Sequence, residues 1–264
     1  MILTGWHPRW LFAPGQIHRR RRHREGCSRL LTPFNRQAEL LENRRVLYAS
    51  PFELSGVVGQ AGAVGFEVLG TGSDNSVGRA GDVNGDGLDD VIIGSPTFNG
   101  NVGRAFVLFG QPTNGSVALS GLGVGVAGFV IDGVAAGDVA GAAVAGLGDV
   151  NGDGLMDVGV TTSNASTGGR VYVVFGKTDQ NAVSLANVAL GVGGFVIDGA
   201  GVTGSSFSLA GAGDVNGDGL NDIVIGNPNG GTSLAGAAYV VFGKATTSAV
   251  MISDVVNQMT GLVL

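Results

Sequence analysis

Short runs of Val, Ile, Phe and Tyr alternate with Gly, Asn, Asp and Pro along most of this chain. Such short apolar runs between turn-forming residues predict β-strands rather than helices. Three segments are nearly identical: GDVNGDGLDDVIIGSP from Gly81, GDVNGDGLMDVGVTTS from Gly148 and GDVNGDGLNDIVIGNP from Gly213. Their first aspartates are 67 and 65 residues apart, so the chain contains an internal repeat.

Each repeat predicts four short strands. The first is a small-residue stretch such as Ser205 to Ala212, and the second follows the Asp-rich segment, as Asp222 to Gly226 does. The third strand ends in Phe-Gly, and the fourth reads Phe-Val-Ile-Asp or a related sequence. The third-strand segments are 103–110, 169–176 and 236–243, and the fourth-strand segments are 65–70, 128–133 and 194–199.

A unit of four strands must stack on its neighbours to bury both faces. The predicted fold is therefore all-β, with propeller-type blades of four antiparallel strands and about three blades, in units near 74–133, 138–199 and 205–264. A spare fourth-type strand precedes them, and the last unit runs out at Leu264 without its fourth strand. Because closed propellers have about four to eight blades, the ring is expected to be partial. A homo-oligomer or additional blades from a larger parent chain would complete it.

Charge and glycine content divide the chain near residue 48. Ten of the fifteen Lys and Arg residues precede this point, whereas eighteen of the twenty-one acidic residues and 46 of the 49 glycines follow it. Residues 1–48 are predicted to be a basic, disordered or targeting arm, and residues 49–264 the repeat domain. The arginine-rich stretch at 19–24 could bind nucleic acid, but the acidic body favours a solvated or targeting segment.

The repeats contain neither imidazole nor thiol, because His7, His18, His23 and Cys27 all lie in the arm. Ser-His-Asp, Cys-His and histidine-zinc chemistry are therefore excluded from the repeats. Asp132 and Asp198 could form a catalytic carboxylate pair, but their identical place in the repeat favours a structural turn. The chain is not expected to be an enzyme. No apolar run approaches the roughly 18 residues that a membrane-spanning helix needs.

The candidate chemistry lies in the Asp-rich segments, where oxygen-bearing side chains occupy positions 1, 3, 5 and 9 and a backbone carbonyl is available at position 7. The candidate ligands are Asp82, Asn84, Asp86, Leu88 and Asp90; Asp149, Asn151, Asp153, Leu155 and Asp157; and Asp214, Asn216, Asp218, Leu220 and Asp222. Five protein oxygens in a tight loop suit Ca²⁺, so about three calcium sites are predicted.

The alternative is that Asp-x-Asn-Gly-Asp-Gly is simply a favourable turn, since these residues favour turns without any metal. Against it, three carboxylates within nine residues repel one another unless a cation lies between them. An EF-hand is disfavoured because it needs an acid at position 12 and flanking helices.

Residues 52–264 resemble the FG-GAP repeat, the blade unit of the integrin α-subunit β-propeller. The resemblance rests on the Asp-rich loops and on the Phe-Gly pairs that begin at Phe109, Phe175 and Phe242. In that family the full ring has seven blades, against about three here, and a calcium loop joins the first two strands of each blade. The resemblance implies extracellular adhesion or ligand binding, with an unknown protein or glycan as the ligand. The second unit departs from the family with Thr161-Thr162-Ser163, so its second strand is expected to end differently.

The segment from Leu41 to Leu47, after the arginine-rich stretch, resembles the LEPR-XLL segment of large bacterial surface proteins. The resemblance implies a bacterial protein that is secreted or displayed on the cell surface. A short amphipathic helix or a disordered arm is the alternative. A second functional hypothesis is an accessory or catalytic propeller domain of a secreted hydrolase or lyase. It would require a cluster of non-repeating polar residues, which the sequence does not reveal.

Overall fold

A computed structural model describes residues 65–71, 76–111, 116–163, 168–200, 206–257 and 261–263, the last three by their backbone only. The chain divides into two compact units, residues 1–52 and residues 53–264. The predictions about the basic arm and its LEPR-XLL resemblance lie outside the described residues.

Three four-stranded blades follow one another along the chain, and strands are numbered here in chain order. Blade 1 contains β2 (Ser76–Gly81), β3 (Asp90–Ser95), β4 (Arg104–Leu108) and β6 (Gly128–Asp132). Blade 2 contains β7 (Val144–Gly148), β8 (Asp157–Thr162), β9 (Arg170–Val174) and β11 (Gly194–Asp198). Blade 3 contains β12 (Ser208–Gly213), β13 (Asp222–Asn227), β14 (Ala237–Val241) and β16 (Gly261–Val263). Consecutive strands of each blade pair antiparallel, which confirms the predicted all-β, blade-like fold.

Two details of the prediction were wrong. Blade 3 does have a fourth strand, because β16 pairs with β14 at the place that β6 and β11 occupy in their blades. The second strand of blade 2 also ends where its counterparts end, since β8 has six residues like β3 and β13. In β8, the buried Thr161 hydroxyl donates to the Ala143 carbonyl and accepts the Ala143 N–H, so threonine fits this position without shortening the strand.

Short strands also pair across adjacent blades. In each blade, a two-residue strand between the third and fourth strands pairs with the last strand of the preceding blade. Of these, β10 (Val183–Ser184) pairs in parallel with β6, and β15 (Val250–Met251) pairs in parallel with β11. In the same way β5 (Val117–Ala118) pairs with β1 (Val68–Leu69), and these two strands form a separate two-stranded sheet. Thus β1 takes the place of the fourth strand of a blade before blade 1. The described strands do not close into a ring.

Short helical segments complete the described structure. They are α1 (Phe98–Asn101), a 3-10 turn at Leu119–Gly121, α2 (Leu185–Ala189), a 3-10 turn at Thr232–Leu234 and α3 (Ile252–Val256). Three of them directly follow β5, β10 and β15, and each buries apolar side chains. Among the described residues, no helix is long and apolar enough to cross a membrane.

The core lies between the blades, where buried Val, Ile and Phe side chains of neighbouring sheets pack together. The first strands of neighbouring blades approach most closely at two glycines. A Cβ on Gly146 would lie 2.4 Å from the Arg79 carbonyl oxygen of blade 1, and one on Gly211 would lie 2.8 Å from the Leu147 carbonyl oxygen of blade 2. Glycine at these positions allows backbones to pack against each other.

Candidate functional site

The three Asp-rich loops all join the first strand of a blade to its second strand. In each blade the ladder between these strands contains a bulge next to the loop, at Ala80, Leu147 and Ala212. A bulge increases the local twist and redirects the chain into the turn. The repeat therefore places one acidic loop at the corresponding point of every blade, as the resemblance implied.

The first aspartate of each loop organises the turn through its carboxylate. In blade 1, Oδ1 of Asp82 accepts the N–H groups of Gly85 at 2.7 Å and Asp86 at 3.0 Å, and Oδ2 accepts the N–H of Gly87 at 2.9 Å. Gly85 and Gly87 have φ angles of 79° and 88°, which favour glycine. Asp149 and Asp214 make the same three bonds in their loops.

Positions 3 and 5 face each other across the turn. The Asn84 Oδ1 accepts the N–H of Asp86 at 2.9 Å, while the Asn84 Nδ2 donates to Oδ2 of Asp86 at 2.9 Å. The second carboxylate oxygen of Asp86 accepts the N–H of Leu88 at 2.8 Å. The same bonds occur in blades 2 and 3. The structure thus brings the predicted residues at positions 1, 3 and 5 into one hydrogen-bonded cluster.

The aspartate at position 9 is separated from that cluster by burial. Asp90 is 1% exposed, and its two carboxylate oxygens accept the N–H of Val83 at 2.8 Å and the N–H of Gly110 at 2.7 Å. Gly110 belongs to the Phe-Gly pair that follows β4, so this carboxylate connects the acidic loop to the end of the third strand. Asp157 and Asp222 make the equivalent bonds.

Burial makes the ionised forms of Asp157 and Asp90 costly. It raises the pKa of Asp157 to about 7, although the N–H groups of Gly176 and Val150 oppose the shift. The negative charges of Asp153 and Asp149 raise that pKa further. Burial likewise raises the pKa of Asp90. A cation in the loop would favour the ionised form of these carboxylates.

Within the described part of the chain, no group of three or more Asp, Glu, His or Cys side chains is arranged to hold a metal ion. The carboxylates of each loop accept hydrogen bonds from backbone N–H groups and from the side-chain amide of the loop asparagine. Even so, the donor set fits calcium, since every polar side chain offered is a carboxylate or an amide oxygen, and a carboxylate oxygen bound to one N–H retains a lone pair. The assignment of these residues as calcium ligands stays a prediction.

Asp132 and Asp198, the candidate catalytic carboxylates, each form a salt bridge within their own blade. Asp132 accepts a salt bridge from Arg104 at 2.5 Å, and Asp198 accepts one from Arg170 at 2.9 Å. Each pair joins the start of the third strand to the end of the fourth strand within one blade. Both aspartates are therefore held by arginines, in agreement with the structural-turn interpretation.

Sequence reasoning missed one pair of residues that breaks the repeat. Arg79 lies on β2 at the position that Gly146 and Gly211 occupy in blades 2 and 3. Its guanidinium forms a bidentate salt bridge with the carboxylate of Asp89. The Arg79 Nη2 lies 2.8 Å from the Asp89 Oδ2. The signal was available in the sequence as a charged residue at a position that is otherwise glycine.

Blades of four antiparallel strands with an acidic turn between the first two define a β-propeller-type repeat protein. A comparison with family models matches the FG-GAP repeat at residues 75–108 and 207–241, which lie in blades 1 and 3. Integrin alpha-IIb of Mus musculus is 32% identical over 157 residues, 55% of this chain and 14% of that protein. Integrin alpha pat-2 of Caenorhabditis briggsae is 29% identical over 182 residues, 62% of this chain and 13% of that protein.

The chain therefore contains FG-GAP repeats in blades 1 and 3 and is similar in sequence to integrin α subunits. Its matched region spans 14% or less of the length of these relatives.

Proposed function

We propose that this protein is a calcium-binding, extracellular or cell-surface β-propeller module that serves adhesion, ligand binding or scaffolding. The observation that carries the proposal is the threefold occurrence of one oxygen-rich loop at the same point of every blade. The similarity to integrin α subunits supports an extracellular role. A protein or glycan is the expected ligand class.

In this proposal the side chains at positions 1, 3 and 5 of each loop, together with position 9 and the carbonyl at position 7, hold one Ca²⁺. Bound calcium would supply positive charge beside the two clustered carboxylates of each turn, at positions 1 and 5. The hydrogen bonds of Asp82 and Asp90 already fix the curl of the first loop. Calcium would then stabilise the connection between the first and second strands by binding only the folded state.

The enzymatic alternative has little support in the described residues. It requires non-repeating polar groups, and Arg79 with Asp89 is one such pair, beside a cavity of about 350 Å³ that Gly146 and Met156 also line. The two side chains are largely exposed and neutralise each other, and neither is placed as a general acid or base. We therefore favour the binding module.

We expect titration calorimetry to find about three calcium ions per chain and Asp153→Asn to remove one of them. Asparagine retains an acceptor for the Leu155 N–H, which Asp153 accepts at 2.9 Å, but it removes the negative charge. Thermal melting should show a higher Tm with calcium than with chelator, and this difference should shrink in the variant.

Asp254→Asn is the matched control, because it makes the same substitution in α3, outside the sequence of the three loops. It should leave both the stoichiometry and the calcium-dependent rise in Tm unchanged. If the wild-type protein binds no calcium at millimolar free metal, the loops are turns held by hydrogen bonds alone, and the proposal fails.

A further inference from the structure

Each acidic loop contains an Asn-Gly bond and an Asp-Gly bond, at which protein chains rearrange most readily. In blade 1 these bonds are Asn84-Gly85 and Asp86-Gly87, and the same Asn-Gly-Asp-Gly run begins at Asn151 and at Asn216. At such a bond the glycine nitrogen attacks the side-chain Cγ of the preceding residue and closes a succinimide ring. Glycine favours the attack because no side chain hinders its nitrogen and its backbone is conformationally free.

Neither burial nor a neighbouring segment shields these bonds in blade 1. Gly85 and Gly87 are exposed, and a Cβ built on Gly87 would meet nothing within 4 Å. Gly217 and Gly219 in blade 3 are exposed in the same way, again with nothing within 4 Å of a Cβ. Protection of the bonds therefore has to come from hydrogen bonds within the loop.

One carboxylate holds both of the nitrogens that would attack. Oδ1 of Asp82 accepts the N–H of Gly85 at 2.7 Å, and Oδ2 accepts the N–H of Gly87 at 2.9 Å. The first of these nitrogens would attack Cγ of Asn84, and the second would attack Cγ of Asp86. The aspartates at position 1 in blades 2 and 3 make the same two bonds, at 2.7 Å and 2.9 Å in each loop.

The carboxamide that would be attacked is held as well. Asn84 Oδ1 accepts the N–H of Asp86 and Asn84 Nδ2 donates to Oδ2 of Asp86, both at 2.9 Å. Rotation of the carboxamide toward the Gly85 nitrogen would disrupt these bonds. The nitrogen must also lose its proton, and the negative charge of Asp82 makes that loss unfavourable because two negative charges would then lie side by side. The position-1 carboxylate thus opposes ring closure through both geometry and charge.

We propose that Asn84, Asn151 and Asn216 are sites of deamidation, and that the aspartate at position 1 of each loop suppresses the reaction while the turn is closed. When the turn opens, the glycine nitrogen bonds to Cγ of the asparagine. The carboxamide nitrogen leaves as ammonia with the proton that the glycine nitrogen has lost. Water then opens the succinimide at either carbonyl, which gives aspartate or isoaspartate.

Either product changes the loop permanently. Aspartate at position 3 adds a negative charge beside Asp82 and Asp86, whereas isoaspartate inserts a methylene into the main chain and disrupts the spacing of the turn. Both products persist after the turn has closed again, so local opening of a loop is converted into a lasting change in its charge or backbone.

The test compares the three loops within one molecule. Protein is incubated in chelator at mildly alkaline pH, and deamidation is followed by digestion and peptide mass spectrometry. We expect Asp82→Asn to accelerate deamidation of Asn84 by at least about tenfold, because a charge-assisted hydrogen bond to the attacking nitrogen is lost. Asn151 in the same molecules should keep its wild-type rate. Asp214→Asn should act in the same way on Asn216 alone.

Asp89→Asn is the matched control, because Asp89 lies in the same loop and carries the same charge but binds Arg79 rather than a glycine nitrogen. It should leave the rate at Asn84 unchanged. Wild-type chain unfolded in urea gives the unprotected rate, which should exceed that of the folded protein. Since chelator is present throughout, the result is independent of calcium binding, which the calorimetric titration tests separately.

Three outcomes would overturn the proposal. The first is that Asn84 reacts as fast in folded as in unfolded wild-type protein, and the second is that Asp82→Asn does not accelerate its deamidation. The third is an equal acceleration at Asn84 by Asp89→Asn, or at Asn151 by Asp82→Asn, because protection would then come from overall charge or from the whole fold rather than from the position-1 carboxylate.

Discussion

Replacement of Asp157 by alanine should lower the free energy of unfolding by about 2–5 kcal/mol, even when chelator has removed all calcium. The carboxylate of Asp157 is fully buried and accepts the N–H groups of Val150 and Gly176, both at 2.8 Å. Alanine would leave one buried and one partly buried N–H without an acceptor. Each such group costs about 1–3 kcal/mol, offset in part by the removal of a buried carboxylate.

Two further variants make this result specific, with stability measured by urea unfolding. Asp157→Asn retains one acceptor oxygen, so we expect roughly half of the alanine loss. Asp153→Ala removes a carboxylate from the same loop whose hydrogen bonds are exposed to water, and in chelator it should cost less than about 1 kcal/mol. Equal losses for Asp157→Ala and Asp153→Ala would mean that position 9 has no structural role of its own.

The second large effect is expected at the contact between the first strands of blades 1 and 2. Gly146→Ala should cost roughly 3 kcal/mol, because the new Cβ would lie 2.4 Å from the Arg79 carbonyl oxygen and 2.8 Å from that of Ala80. These are backbone atoms, so no side-chain rotation relieves the overlap. The blades must separate instead, and the apolar contacts between them are weakened.

Gly226→Ala is the appropriate comparison, since Gly226 is also a strand glycine with an ordinary φ. A Cβ there approaches one atom within 3 Å, the Ser208 hydroxyl oxygen, which belongs to a side chain that can rotate. We expect a change smaller than about 1 kcal/mol in the same urea unfolding measurement. If the two alanine variants lose the same stability, close backbone approach at Gly146 is not what requires glycine.

The sequence carried most of the information about single blades. The alternation of short apolar runs with turn residues predicted strands near 222–226 and 128–133, and β13 and β6 lie there. Strand propensity and turn chemistry are local properties, so one repeat suffices to read them. Three copies in register then predicted a stacked β-array, because a lone four-stranded sheet leaves its faces exposed.

Two predictions about strands were wrong because hydrogen bonding between distant segments of the chain decides where a strand forms and ends. Gly261–Val263 has no Phe-Val-Ile-Asp sequence, yet it forms β16 because the edge of β14 offers unpaired backbone groups to any extended segment. Thr161 and Thr162 do not match the family sequence, but they extend β8 because threonine suits a strand. Neither result could be obtained from the residues of one segment alone.

For the acidic loops too, some features follow from the sequence and others only from the tertiary structure. Their composition and spacing alone predicted a turn with oxygen-bearing side chains at positions 1, 3, 5 and 9, because the residue types and their order are properties of the sequence. Only the tertiary structure distinguishes the buried Asp90 from the more exposed Asp82 and Asp86. The carboxylate of Asp90 accepts the N–H of Gly110, which lies twenty residues further along the chain, after another strand. The tertiary structure alone also reveals that Arg79 stands at a blade contact, because which side of a strand meets a neighbour depends on how the blades stack.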